Sequence, residues 1–168
     1  MGDLKTYEGF NLFCQNVETN LNLKTLKAGG LEEVEENFRP GFSDTGMDLG
    51  MGLKSIMFEF TLMGDDPVTL ALFGYGAGTV QNFTAYKASK SRFSNDTAAK
   101  QTIIQVRGRI IKADEDEMEA GKLVGTKYKV GEIQAFRQVH EGVLLQHYDV
   151  RAGGNQLNRA DVMRALGR

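Results

Sequence analysis

The chain has 168 residues, which suits one domain, and its 20 Lys and Arg against 22 Asp and Glu leave a net charge of −2. That near-balance removes the overall positive charge expected of a dedicated nucleic-acid binder. A single cysteine, Cys14, rules out an internal disulfide framework or a multi-cysteine metal site, and His140 and His147 cannot complete a zinc finger without further thiols.

A hydrophobic share of 41% is enough for a packed core. Twenty glycines accompany only two prolines and fall at the ends of apolar runs, the pattern of turns in a β-rich protein. The longest apolar runs, 56–63 and 68–73, are far short of the ~20 residues of a membrane helix, so no membrane anchoring is expected. The first ten residues lack the apolar stretch of a secretory signal, which predicts folding in a cytoplasm.

In chain order, residues 7–17 read as a strand that contains Cys14, and a second strand follows through about Leu26. The acidic stretch 31–36 fits a strand or a solvated extension equally well. Residues 38–53, FRPGFSDTGMDLGMGL, read as a long glycine-rich loop, and loops of more than ~12–15 residues are usually functional or disordered. Its apolar side chains need a cover, either from their own domain or from a partner.

Ile56, Phe58, Phe60 and Leu62 then alternate with Met57, Glu59, Thr61 and Met63, a clear period-two strand. Asp65-Asp66-Pro67 opens a short helix with a carboxylate cap and a proline in its first turn, and Gly74 is its expected stop. Residues 79–99 predict a strand and a loose loop. A strong strand over 101–112 places Ile104, Val106 and Ile110 on one side and Gln105, Arg107 and Arg109 on the other. The acidic run from Asp114 to Glu119 reads as the loop that follows. Residues 127–139 and 143–149 predict a hairpin around Glu141-Gly142, and the last segment predicts an amphipathic helix capped by Asn155 or Asn158 and stopped by Gly167.

Chemistry-bearing patterns are scarce. Gly74–Gly78 follows a helix instead of opening one, so it lacks the context of a phosphate-binding turn. The acidic run lacks the spacing of a calcium loop and reads as a solvated loop. His140 and Glu141, being adjacent, would point to opposite faces of a strand, and Cys14 reads as a small core residue. Arg107, Arg109 and Arg137 form a candidate basic strip, against the plainer reading of salt bridges to nearby glutamates. No nucleophile, paired-carboxylate, metal or cofactor arrangement stands out, so no enzyme is expected.

Several segments occur together in a telling order. They are Asn11-Leu12-Phe13, Glu36-Asn37-Phe38-Arg39-Pro40-Gly41, Met47–Leu53, the Phe58–Gly64 strand and Leu72-Phe73-Gly74. Arg107-Gly108-Arg109 through Lys112-Ala113-Asp114, Ala120-Gly121 and Arg164-Ala165-Leu166-Gly167 complete the set. Over nearly the whole chain this resembles the major tail tube protein of contractile-tailed bacteriophages, a family that includes the R-type pyocin tube and shares its fold with the type VI secretion tube protein. The acidic stretch Glu32–Glu36 is a departure from the family pattern.

The resemblance implies a mainly β fold: two packed antiparallel sheets as a sandwich or barrel, with a short flanking helix and a C-terminal helix, in one domain over 1–168. It implies hexameric rings whose sheets merge into a continuous inner barrel and stack into a tube. The tube would deliver DNA and meet the tail sheath, the baseplate and tail terminator proteins, and the tape measure protein in its lumen. The virion tail is the implied location, with assembly in the host cytoplasm.

Within that frame Phe38, Arg39, Phe42, Met47, Asp48, Leu49 and Met51 are the expected ring-to-ring loop. Glu59, Thr61, Gln105 and Arg107 are the expected lumen-facing residues, and acidic or neutral side chains there would favour DNA passage. Asp66, Thr69, Leu70 and Phe73 are the expected sheath-facing or subunit-contact helix. The competing readings are a contractile injection tube of the pyocin or type VI kind that carries no DNA, and a small-ligand-binding β-barrel.

Overall fold

Two strands of 16 residues, β8 (Lys100–Glu115) and β9 (Gly125–His140), run side by side and organise the rest of the chain. The computed structural model describes residues 5–15, 17–19, 22–64, 66–72, 80–92, 98–155 and Arg164. Around the long pair lie β1 (Lys5–Cys14), β2 (Val17–Glu18), β3 (Leu23–Ala28), β6 (Phe58–Met63), β7 (Gln81–Ser91), β10 (Val143–Asp149) and β11 (Gly154–Asn155). These form one antiparallel nine-stranded sheet, and β4 (Glu33–Phe38) with β5 (Met47–Leu53) forms a separate two-stranded one. The one helix among the described elements, α1, spans Pro67–Ala71.

The large sheet wraps in the order β3-β6-β9-β8-β7-β1 and is nearly closed. Thr19 completes the seam: its backbone N–H and its hydroxyl both donate to Leu12 O, at 3.0 and 2.8 Å, while its own carbonyl accepts from Leu23 N at 3.0 Å. Strand β9 divides the wall into two halves. Its first part, 125–130, pairs with β6, and its second part, 135–140, pairs with β10. Likewise only the first part of β8, 100–108, pairs with β7, and on that side residues 110–115 have no strand partner among the described residues.

Bulges between Arg107 and Arg109 and between Ile110 and Lys112 let β8 serve both halves. Two glycines make the crossing close. A Cβ on Gly108 would stand 2.9 Å from Gly131 O, and one on Gly131 would stand 2.5 Å from Ile111 Cδ1.

The barrel interior is filled by side chains. Phe58, Phe60, Phe83 and Phe136 are buried with Leu12, Leu62, Ile104 and Val130. Phe60 stacks on Tyr128 with ring centroids 5.1 Å apart, and Phe58 and Phe83 lie 6.0 Å apart. Each such burial contributes about 1.5–3 kcal/mol, as an upper figure. Cys14 is buried in this core as expected, where desolvation, then the nearby Asp66 charge, pushes its thiol up to about 12.

The period-two strand at 58–63, the strand through 101–112 and the mainly antiparallel β class stand as read from sequence. Helix α1 starts as expected: Asp66 Oδ1 accepts from Thr69 N at 3.3 Å and Oδ2 from Thr69 Oγ1 at 2.8 Å. Glu141 and Gly142 both have positive φ, 49° and 80°, the backbone of a tight two-residue hairpin turn.

Two expectations are corrected. Residues 38–53 are not a plain loop: Phe38 ends β4, 47–53 is β5, and only 39–46 connects them. Glycines at 50 and 52 hide the alternation of Met47, Leu49, Met51 and Leu53, because glycine weakens every local strand signal. The acidic run begins two residues later than expected, since Asp114 and Glu115 still pair with Lys127 and Thr126. Asn155 lies in β11, and Asn158, the other expected cap, lies outside the described residues. Residues 156–163 and 165–168 of the expected terminal helix, and Phe73 and Gly74 of the internal one, lie outside the described residues.

Two outcomes test this packing. Gly108→Ala drives a methyl group into a backbone carbonyl and is expected to cost about 1–3 kcal/mol, whereas Gly131→Ala meets the mobile end of half-exposed Ile111 and is expected to cost under about 1 kcal/mol. Thermal melts of the two variants read the difference. Cys14 is expected to resist alkylation at mildly alkaline pH while the protein is folded and to react fully in denaturant, because the thiolate is suppressed by burial. Thiol labelling followed by mass spectrometry measures it.

Candidate assembly surfaces

The acidic stretch and the glycine-rich stretch together form an arm. Cross-strand pairing of Phe38 with Met47 and of Glu36 with Leu49 sets these side chains on one face. Asn37 and Asp48 take the other face, where Asn37 Nδ2 donates to Asp48 Oδ1 at 2.7 Å. The arm is therefore an amphipathic ribbon, and its apolar side chains stay in solvent: Phe38 is 52% exposed, Met51 61%, and Phe42 at the tip 95%.

The tip has local order. Ser43 N donates to Pro40 O at 3.0 Å, and Arg39 Nε donates to Ser43 O at 2.9 Å. At the base, Lys54 N donates to Glu32 O at 2.7 Å and Lys54 Nζ meets Glu32 Oε1 at 2.5 Å. A lone two-stranded ribbon is marginal in water, so an exposed apolar face on one is an interaction surface or a liability. Beside the arm's base lies a cavity of about 840 Å³, bounded by Leu31, Met57, Ile111, Ile133 and Tyr148 among others.

The expected lumen residues do not form one group. Glu59 and Thr61 lie on the outer face of β3, β6, β9 and β8. There Lys27, Glu59, Lys129 and Lys112 form one cross-strand row, and Thr25, Thr61, Lys127 and Asp114 form the next. These rows border a cleft of about 480 Å³. Lys112 Nζ holds Asp114 Oδ2 at 2.9 Å and keeps that carboxyl below its ordinary pKa, and Lys127 Nζ reaches Asp116 Oδ1 at 3.3 Å. Four lysines against Glu59 and Asp114 make these rows net basic, where acidic or neutral residues were expected. Lysines at alternate positions 127 and 129 were the sequence signal for this, and pairing was needed to see that 27 and 112 join them.

Gln105 and Arg107 belong to a second face, built by β1, β7, β8, β9 and β10. In register Phe13, Thr84, Gln105, Arg137 and His147 form a row across it, and Tyr86, Ile103 and Val139 form the neighbouring one. Phe13 and Tyr86 meet edge to face at 5.7 Å. A cleft of about 390 Å³ has Arg107, Arg137 and His147 in its wall. Of the candidate basic strip, Arg107 and Arg137 share this cleft, while Arg109 Nη2 pairs with Glu132 Oε1 at 2.5 Å.

On α1, Leu70 and Val68 are exposed, whereas Thr69 is fully buried with its hydroxyl engaged by Asp66. Thr69 thus holds the Asp66 cap in place, and no part of it reaches the surface of the subunit. His140 Nδ1 shares a 2.8 Å hydrogen bond with Thr102 Oγ1, and burial, with Asp66 nearby, pushes the Tyr128 hydroxyl up to about 12. Among the described residues no three His, Cys, Asp or Glu side chains converge as a metal site.

The barrel is similar to the sheath/tube terminator of an extracellular contractile injection system, PVC, in its extended state. The TM-score is 0.56 at 6% identity, covering 79% of this chain and 94% of that chain. A chain in the six-fold symmetrised baseplate of the anti-feeding prophage matches with TM-score 0.48 and 11% identity, over 77% of this chain and 90% of that chain. No curated protein matches the sequence. The family model described as phage tail tube protein FII matches residues 5–167, and with a β-barrel of this kind beneath that match the chain belongs to the phage tail tube protein FII family, as a structural subunit of a tail tube.

Proposed function

We propose that this subunit is a non-catalytic building block that closes into hexameric rings and stacks into the inner tube of a contractile tail, through which DNA reaches the host. The observation that carries the reading is the arm, whose apolar face stays exposed on the subunit although a ribbon of that kind needs a cover. A second ring supplies the cover, with Phe38, Arg39, Phe42, Met47, Asp48, Leu49 and Met51 at the contact.

Ring closure uses free sheet edges. Among the described residues the half-barrel β3-β6-β9-β8 has one edge along β3 beyond Leu23 and another along residues 110–115 of β8, and pairing the first with the second of a neighbour continues the sheet around the ring. Its outer rows, with Glu59 and Thr61, are fully polar and suit a water-filled lumen. Gln105 and Arg107 lie among Phe13, Tyr86 and Ile103, a surface better suited to protein contact than to a lumen. In the tail, the sheath lies outside, with Leu70 and Val68 of α1 as contact residues. Baseplate and terminator proteins meet the ends, and the tape measure protein and then DNA occupy the lumen. Assembly takes place in the host cytoplasm and the product is part of the virion tail. The small-ligand barrel fits less well, because the interior is filled by phenylalanines.

Met47→Asp with Leu49→Asp is expected to leave the subunit folded and to abolish long tubes in electron micrographs. The concentration needed for assembly rises by about tenfold or more, since burying two carboxylates costs several kcal/mol. Tubes of normal length would sink the assignment of the arm. Glu59→Lys is expected to permit assembly yet slow DNA release from particles, by removing one of the two carboxylates among four lysines. Release kinetics at low and high salt separate this electrostatic effect from misfolding.

A further inference from the structure

Charge is unevenly divided along the chain. The arm, residues 31–53, carries six carboxylates against Arg39 alone, although the whole chain has a net charge of only −2, so the barrel is net basic. The arm's apolar face is not purely apolar. Glu36 stands on it, across from Leu49 and two positions before Phe38. A surface that receives this face must offer cations and apolar cover together.

The two basic faces differ on that point. The central rows of the Lys27–Lys112 face hold no apolar side chain. On the other face, Arg107 and Arg137 border a cleft directly beside Phe13, Tyr86, Ile103 and Val139, all partly exposed. Among the described residues neither Arg107 nor Arg137 has a carboxylate within 4.0 Å, while Arg109 a few positions away is paired with Glu132. Guanidinium groups are planar forks matched to a carboxylate, and they tolerate desolvation better than ammonium groups.

We propose that the arm of one subunit docks on the Arg107–Arg137 face of a second copy of this chain, with Glu36 between the two guanidinium groups and the apolar side chains of the arm over Phe13, Tyr86, Ile103 and Val139. This rests on the reading of the arm as the contact between rings and names the surface that receives it. The contact is heterologous, since the arm and its receptor are different parts of the molecule. Such a contact propagates into a filament unless its rotation closes.

A charge exchange tests it in the full-length protein, read as the concentration at which tubes appear in electron micrographs and sedimentation. Glu36→Arg and Arg137→Glu are each expected to raise that concentration by about tenfold or more, the scale of a broken interfacial charge pair. Glu36→Arg combined with Arg137→Glu is expected to return to within about threefold of the parent. Arg137→Gln, which only removes the charge, is the second variant should Arg137→Glu melt early, and it too is expected to lose about tenfold. Parent-like assembly of both Arg137 variants, or no recovery in the exchange, would overturn the proposal. The Met47→Asp, Leu49→Asp variant separates the two readings. Normal tubes there remove the arm contact altogether, whereas loss there with parent-like Arg137 variants keeps the arm and rejects this receptor.

Discussion

The architecture depends on one close approach, where β8 and β9 cross from one half of the barrel to the other. Gly108 sits under the carbonyl of Gly131, with room for hydrogen but not for a methyl group. The bulges on either side of this point shift the register of β8 between Arg107 and Arg109 and again between Ile110 and Lys112. Bulges bend a strand and increase its local twist, so two strands supply walls to both halves without a break in the chain. The core follows from that. Val106 and Phe136 face inward before the crossing and Ile110 and Val130 after it, and Phe58, Phe60 and Phe83 fill the space between.

The same crossing gives the molecule two outer chemistries. Before it, β8 presents Gln105 and Arg107 beside Arg137 and His147; after it, β8 presents Lys112 and Asp114 beside Lys127 and Lys129. One face is mixed apolar and guanidinium, suited to a protein surface. The other is a lattice of short polar and ammonium groups, suited to water. On the proposed reading a tube subunit needs both, an outside that binds protein and an inside that stays wet, and the same two strands would contribute to each.

Elements whose signal is local were legible in the sequence. The alternation at 58–63, the Asp66 cap before Pro67 and the Glu141-Gly142 turn each depend on neighbours a few residues away, and each stands where the residues put it. What needed the fold was long-range. The glycines of 38–53 conceal a strand that becomes visible only through its pairing with Glu33–Phe38. Grouping Glu59 with Arg107 came from the implied lumen together with alternation within each strand, and alternation cannot register that a bulge sends the two ends of a long strand to different faces. For the same reason the link between Lys27 and Lys129 is absent from any local pattern, since Glu59 on the strand between them makes it.

The division of charge bears on how such a subunit waits before it assembles. An apolar ribbon exposed on a β-protein invites indiscriminate pairing, and charged residues on exposed strands are a common defence. The exposed glutamates of β4 suit that purpose on the free subunit, because two acidic arms repel each other. The same carboxylates become attractive only toward a basic surface, and on the proposed reading the basic surface with apolar cover lies on the barrel of another copy. One set of charges then discourages the wrong contact, arm on arm, and favours the right one, arm on barrel. That is specificity by difference, in which the repulsive element matters as much as the attractive one. Salt weakens both, so raising ionic strength trades fidelity of stacking for looser association of apolar faces.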